Sequence, residues 1–293
     1  WEIVTQGGFG NKDNVDMYGL HVFQGHLYIG TFNFSGGEIF RSEDGLHFEK
    51  VLAGGGDHPS HIDFYCFIIF KENLYTGTCN LTNITREIAP TYLPGQGGAI
   101  FRTGDGENWQ KAFQVSNKNH NFIRNFAVFQ DALYASTGRY GAPWLLIHSE
   151  DGEHFEELTF ESLPDNYNDC PKIVNFKDHL YCFVGNKLNN VPFKVCRYDG
   201  QVLTDIHWDG FHNPNNVSVM AAEVIDQKLW VTTRNYKEGM EIWNTEDGQI
   251  WKNVLDQGID GDVFNENCLY SLSKFKNYLC LGVFNQKRGC PYC

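Results

Sequence analysis

Three aspartates, Asp16, Asp63 and Asp169, stand at one fixed distance before Phe23, Phe70 and Phe176, the residues that close three apolar runs. Two positions further along come Tyr18, Tyr65 and, in a later run, Tyr270, while Arg124 and Met220 hold that place in two others. Alternate residues of an extended strand share a face, so each aspartate and the residue two places on point the same way. Carboxylates gathered on one face raise one another's pKa, which suits a general acid near neutral pH. Tyrosine adds a phenolic donor and an aromatic wall, and arginine grips a carboxylate through paired N–H groups. The candidate catalytic set is therefore Asp16, Asp63, Asp169, Tyr65 and Tyr270. Tyr18, Arg124 and Met220 are candidate substrate contacts, joined by His61 and His120 ahead of the runs and by Arg139 and Arg234 beyond the strands that follow.

Hard oxygen ligands of this kind also admit calcium at Asp16, Asp63 and Asp169, and no other cofactor is called for. The nine cysteines do not show zinc-finger spacing. Laid out on hairpins they pair instead as Cys66 with Cys79, Cys182 with Cys196 and Cys280 with Cys290, three candidate disulfides. Asn33, Asn80, Asn83 and Asn216 each head an Asn-x-Ser/Thr sequon and are candidate glycosylation sites. Cysteines and sequons together lead to the expectation of a secreted, extracellular protein whose leader has been removed ahead of "WEIVTQGG".

The elements that position these residues come from a repeat. "LYIGT", "LYTGT", "LYAST", "LYCFV", "LWVTT" and "LCLGV" begin at Leu27, Leu74, Leu133, Leu180, Leu229 and Leu279. Each follows a β-rich run such as "GLHVF" or "FAVF" across a tight polar turn, and is followed by a third strand such as "GEIFRS" and a fourth such as "FEKVL". Four antiparallel strands in a unit of roughly 50 residues make a propeller blade. The expected fold is a single six-bladed β-propeller over 1–293, with blades near 6–52, 53–113, 114–159, 160–206, 207–255 and 256–293 plus 1–5. In the last of these, Trp1–Thr5 aligns with the fourth strands and closes the ring. The first strand of each blade lines the axis, which puts the candidate residues at one mouth of a central channel.

Between the third and fourth strands the chain reads "SEDGLHF", "TGDGENW", "SEDGEHF" and "TEDGQIW". An Asp-Gly pair between strands points to a type I′ turn with positive φ at both central residues. The aromatic four places after each Asp, at Phe48, Trp109, Phe155 and Trp251, reads as packing between blades. These elements resemble the Asp-box repeats of sialidase-like propellers, although the usual box separates Asp and Gly by one residue. The resemblance implies a propeller and implies that the boxes lie away from the active site. A sialidase clamps a carboxylate with three arginines, for which Arg124, Arg139 and Arg234 are the counterparts on this face, but their spacing does not match that family's pattern.

A net charge of −13 disfavours nucleic acid and anionic membrane as partners, and no apolar run is long enough to span a bilayer. The scaffold positions of the repeats agree while the inner positions differ, which favours one asymmetric pocket on the axis over a site repeated in every blade. The expectation is a secreted monomeric enzyme acting on a small molecule or glycan end, by hydrolysis, elimination or oxygen-dependent chemistry such as that of a luciferase. The alternative is a non-catalytic secreted lectin or interaction module with equivalent clefts between blades.

Overall fold

A computed structural model describes residues 7–81, 96–138, 143–160, 167, 169–186, 191–206, 209–261 and 271–282. The chain divides into two compact units, 1–161 and 162–293. In the first unit three four-stranded antiparallel meanders follow one another. They comprise β1 (Asn14–Phe23), β2 (His26–Asn33), β3 (Ile39–Ser42) and β4 (Glu49–Leu52); β5 (His61–Phe70), β6 (Asn73–Asn80), β7 (Ala99–Thr103) and β8 (Gln110–Gln114); and β9 (Phe122–Phe129), β10 (Ala132–Gly138), β11 (Leu145–Ser149) and β12 (Glu156–Leu158).

The second unit repeats the pattern with β13 (Lys172–Phe176), β14 (His179–Asn186), β15 (Val191–Tyr198) and β16 (Leu203–Asp205), then β17 (Asn216–Ile225), β18 (Lys228–Asn235), β19 (Ile242–Thr245) and β20 (Trp251–Leu255). A hairpin of β21 (Ser271–Phe275) and β22 (Tyr278–Gly282) completes its described strands. Trp1–Thr5, the expected closing strand, lies outside the described residues. Among those described, no helix is long and apolar enough to cross a membrane.

The core of each unit lies between the faces of successive blades. Phe23, Tyr28 and Ile39 of the first blade pack on Phe64, Leu74 and Phe101 of the second. Phe70, Tyr75 and Ile100 of the second pack on Ile123, Leu133 and Leu145 of the third. In the other unit Phe183, Phe193 and Val195 meet Val219, Leu229 and Trp251. Each such side chain contributes about 1.5–3 kcal/mol on burial, so the blades are held chiefly by their neighbours.

The turns differ from expectation in an instructive way. Positive φ at two successive residues occurs at the first hairpin of a blade, as at Lys71 and Glu72 (43° and 65°) and Gln130 and Asp131 (48° and 58°). At the Asp-Gly elements only the glycine is left-handed, with Gly106 at φ 77° and Gly152 at 79°. The aspartate instead folds its carboxylate back over the turn. Asp105 Oδ1 accepts the N–H groups of Glu107 and Asn108 at 2.9 and 2.8 Å, while Thr103 Oγ1 accepts that of Gly106 at 2.9 Å. These are side-chain-capped turns, not type I′ turns.

Within each unit the same element ties one blade to the one before it. Tyr28 donates its hydroxyl to the Gly106 carbonyl at 3.3 Å, Tyr75 to that of Gly152 at 3.1 Å and Tyr181 to that of Gly248 at 3.5 Å. A Cβ on Gly106 would meet the Tyr28 hydroxyl at 1.9 Å, so this position needs glycine for room as well as for its φ. The following aromatic packs where expected: Trp109 lies edge-on to Tyr28 and Phe67, and Trp251 to Phe183.

Hydrogen bonds from the Asn108 side chain and from the turn's N–H groups hold Asp105 below the ordinary carboxylate range. A carboxylate depressed in the folded state adds stability that is present above its unfolded pKa, near ~4, and lost as pH falls through the folded value. Asp105→Ala is therefore expected to lower the melting temperature at pH 7, with a deficit that narrows as melting is followed from pH 5 down to pH 2.

Candidate functional site

In the first unit the structure brings Asp16, Tyr18, Asp63, Tyr65 and Arg124 together from β1, β5 and β9. Bulges in these inner strands aim the side chains. In β5 the register passes from Phe64 opposite Thr78 to Cys66 opposite Gly77, leaving Tyr65 as the extra residue. In β9 it passes from Ile123 opposite Thr137 to Asn125 opposite Ser136, leaving Arg124. In β1 the extra residue is Gly19, at φ 56°, where a Cβ would strike the Phe67 ring and the Tyr65 carbonyl.

Asp63 is fully buried; its Oδ1 accepts the Cys79 N–H at 2.6 Å, and its Oδ2 lies 3.7 Å from Arg124 Nη2. The Arg124 guanidinium is stacked between two rings, 4.5 Å from the centroid of Tyr65 and 4.2 Å from that of Phe122. About a quarter of its side chain, 24%, stays open to solvent. Burial works against its charge, but Tyr65 and Asp63 outweigh that and raise its pKa above the ordinary value. Tyr18 lies against Tyr65 at 4.6 Å and donates its hydroxyl to Asp16 Oδ2 at 3.1 Å. Burial, followed by the Asp16 charge, pushes the Tyr18 phenol up, so it serves as a donor and not as a phenolate. The result is an arginine with part of its side chain open to solvent, an exposed carboxylate at Asp16, and the rings of Tyr18 and Tyr65 beside them.

The other candidates take different places. Arg139 and Tyr270 lie outside the described residues. Asp169, Met220 and Arg234 belong to the second unit. Asp169 Oδ1 accepts the N–H of Cys170 at 3.1 Å. Met220 is the extra residue of the bulge in β17 and, partly buried, packs with Met240 and Ile242. Arg234 is buried, stacks on Tyr236 at 5.8 Å and has no ion pair among the described residues. No three Asp, Glu, His or Cys side chains among those described converge to hold a metal. Asp63, one of the three aspartates considered for calcium, faces two donors, the Cys79 N–H and Arg124.

His61 is not a free base. Asn80 Nδ2 can only donate, so His61 Nδ1, 3.0 Å away, is the acceptor and the ring proton sits on Nε2, 3.2 Å from Asp57 Oδ1. Asn14 does the same work at the first blade's corner, where its Oδ1 accepts from Thr31 Oγ1 at 3.2 Å and Asn33 Nδ2 at 2.8 Å. Asn216 does so in the fifth, accepting from Asn235 Nδ2 at 3.1 Å and donating to Glu241 Oε2 at 2.8 Å. His120 occupies the equivalent buried position of the third blade, where burial lowers its pKa.

These corners correct the glycosylation expectation for three sequons. Asn33, Asn80 and Asn216 are buried, and their amide nitrogens, which a glycan would have to occupy, donate to Asn14, to the Gly97 carbonyl and to the Gly210 carbonyl respectively. Asn83 lies outside the described residues. Among the cysteines, Cys66 faces Gly77 and Cys79 faces Asp63, so the expected pair is out of register. Cys182 and Cys196 do face each other, but as buried thiols, with burial pushing Cys196 up to about 12. Cys280 is exposed, Cys290 lies outside the described residues, and no disulfide forms among those described.

Sequence reasoning missed Phe32 and Phe34, which extend the aromatic wall from Tyr18. A signal existed for Phe32, which follows Leu27 as Arg234 follows Leu229. The Asp57–Lys111 ion pair beside His61 carried no such signal, because it joins residues far apart in the chain.

No family model matches the chain, and no curated protein matches it in sequence. Solved structures match in shape. Trypanosoma rangeli sialidase in complex with the inhibitor DANA has a TM-score of 0.55 at 11% identity over 92% of this chain and 53% of that one. A mutant of the same sialidase displaying trans-sialidase activity has 0.53 at 12%, over 92% and 52%. An α-L-arabinofuranosidase from Clostridium thermocellum has 0.45 at 14%, over 75% and 80%. The chain thus spans about half the length of the sialidase chains. At such identities the sialidase likeness shows the fold, a β-propeller.

Asp63→Ala is expected to destabilise the protein by about 3 kcal/mol in equilibrium unfolding, since it strips Arg124 of its nearest carboxylate and the Cys79 N–H of its acceptor. Burial lowers the His61 pKa to about 4 from 6.5. Its imidazole signals in NMR should therefore stay neutral through pH 5, and stability tied to this residue should fall as pH drops from 6.5 toward 4.

Proposed function

We propose that the cluster of Asp16, Tyr18, Asp63, Tyr65 and Arg124 is the ligand site of a propeller enzyme acting on a small molecule or glycan end. The observation that carries this reading is the Arg124 guanidinium, held between Tyr65 and Phe122 beside buried Asp63 with 24% of its side chain open to solvent. Arg124 would bind an oxygen of the ligand, and Asp16, exposed and linked to Tyr18, would exchange a proton with it. Asp63 and Tyr65 hold Arg124 in place. The sialidase neighbours share the fold, which supports a glycan end as one class of ligand. Without a matching arginine pattern they do not support the sialidase reaction itself.

Secretion remains part of the proposal. Its support now rests on Asn83, because the other sequon asparagines are buried and no disulfide forms among the described residues. A lectin with equivalent clefts in every blade has less support, since among the described residues the grouped side chains occur once, on three inner strands of one unit.

A binding and turnover screen over glycans and small molecules tests the proposal. Arg124→Ala should weaken the best hit at least about tenfold, and Asp16→Asn should abolish turnover while leaving most of the binding. Binding that ignores Arg124→Ala would move the site elsewhere.

A further inference from the structure

The cluster around Arg124 is one end of a longer feature. Phe34 meets Phe32 edge-on with centroids 5.0 Å apart, Phe32 meets Tyr18 at 6.4 Å, and Tyr18 lies 4.6 Å from Tyr65. Arg124 then continues the series from Tyr65 to Phe122. Five rings and a guanidinium thus form one unbroken π wall. Phe34, Phe32, Tyr18, Tyr65 and Arg124 are each partly open to solvent, and Phe122 is buried at the end.

Among the described residues, the polar groups along this wall are Asp16, Asp63, Arg124 and the hydroxyls of Tyr18 and Tyr65. Asp63 is buried and held by the Cys79 N–H and Arg124, and the Tyr18 hydroxyl is directed at Asp16. Among these, the Asp16 carboxylate is exposed and Arg124 keeps part of its side chain open, an acceptor and a donor for a ligand. A sugar ring carries several hydroxyls, each of which gives up hydrogen bonds to water that so short a set of described polar groups does not replace. A flat aromatic ring gives up little and gains stacked and edge contacts along the wall. Two carboxylates against one guanidinium also disfavour an anion. A phenolic hydroxyl matches both handles, donating to Asp16 and accepting from Arg124.

We infer that this site takes a planar aromatic molecule bearing a phenolic hydroxyl, its ring against Tyr18 and Tyr65 and its oxygen between Asp16 and Arg124. The inference rests on the reading that this cluster is the ligand site and narrows its ligand class.

The test titrates 2-naphthol, 2-naphthoate and a set of methyl glycosides into the full chain by calorimetry, with 2-naphthol also followed by its own fluorescence. Tyr65→Leu, Asp16→Asn, Arg124→Ala and, as a control in the second unit, Tyr236→Leu are compared, each checked for a native melting curve. The expected result is saturable binding of 2-naphthol, tighter than that of the anionic 2-naphthoate. Tyr65→Leu and Asp16→Asn should each weaken it about five- to tenfold, and Tyr236→Leu should leave it unchanged. Asp16 is exposed, so Asp16→Asn keeps the question answerable if Tyr65→Leu fails to fold. Glycosides that bind in an Arg124-dependent way while 2-naphthol does not would overturn this inference and leave the proposed site standing. Binding of 2-naphthol indifferent to Tyr65→Leu and Asp16→Asn would overturn it as nonspecific, and failure of every probe would overturn the site as well.

Discussion

The structure depends on one small contact, the hydroxyl of a second-strand tyrosine resting on the glycine carbonyl of the next blade's Asp-Gly turn. Tyr28 on Gly106, Tyr75 on Gly152 and Tyr181 on Gly248 repeat it. The contact fixes how far apart two blades sit at their outer edge, and the aromatic that follows the turn fills the space it leaves. Substituting the glycine would drive a Cβ into the hydroxyl, and removing the aspartate would release the N–H groups that shape the turn. Charge and recurrence make this element conspicuous in the sequence, yet its chemistry is spent entirely on holding sheets together.

With the outer edges fixed, the inner strands are free to depart from regular pairing, and they do so at matching places. Tyr65, Arg124 and Met220 are each the extra residue of a bulge at the same point of their strands. A bulge lets one side chain leave the alternation of the strand without disturbing the core behind it. Two of the three turn toward the candidate site and the third packs against Met240 and Ile242. The blades therefore share the device while differing in what it presents, which is how a repeated scaffold carries one asymmetric site.

Legibility followed the range of the interactions. The blade strands were readable because each is set by a short pattern of alternating apolar residues and a turn. The grouping of Asp16, Tyr18, Asp63, Tyr65 and Arg124 was readable by counting back from the hairpins, which works because those hairpins have no insertions. The bulges themselves were not, since Arg124 and Tyr65 have no local feature that marks an unpaired position. The type I′ expectation failed for a related reason: Asp-Gly permits that turn, but a Ser or Thr two residues ahead and two following N–H groups offer the aspartate a better arrangement.

The sequons and histidines show the opposite failure, in which a short motif pointed outward and the fold used it inward. Asn33, Asn80 and Asn216 sit at blade corners where the backbone turns away from the sheet and leaves buried donors and acceptors to be met. A carboxamide meets one of each, and His61 substitutes for it by presenting one bare nitrogen and one protonated one. That exchange between Asn14, His61 and Asn216 at one structural position explains why a histidine stands at the start of an inner strand. It also separates two kinds of polar residue close to the candidate site: corner residues, whose hydrogen-bonding groups are turned inward to the fold, and Arg124 with Asp16, which keep a side open to water. Only the second kind has free energy of interaction left to offer a ligand, because a group already satisfied by the fold must break one hydrogen bond to make another.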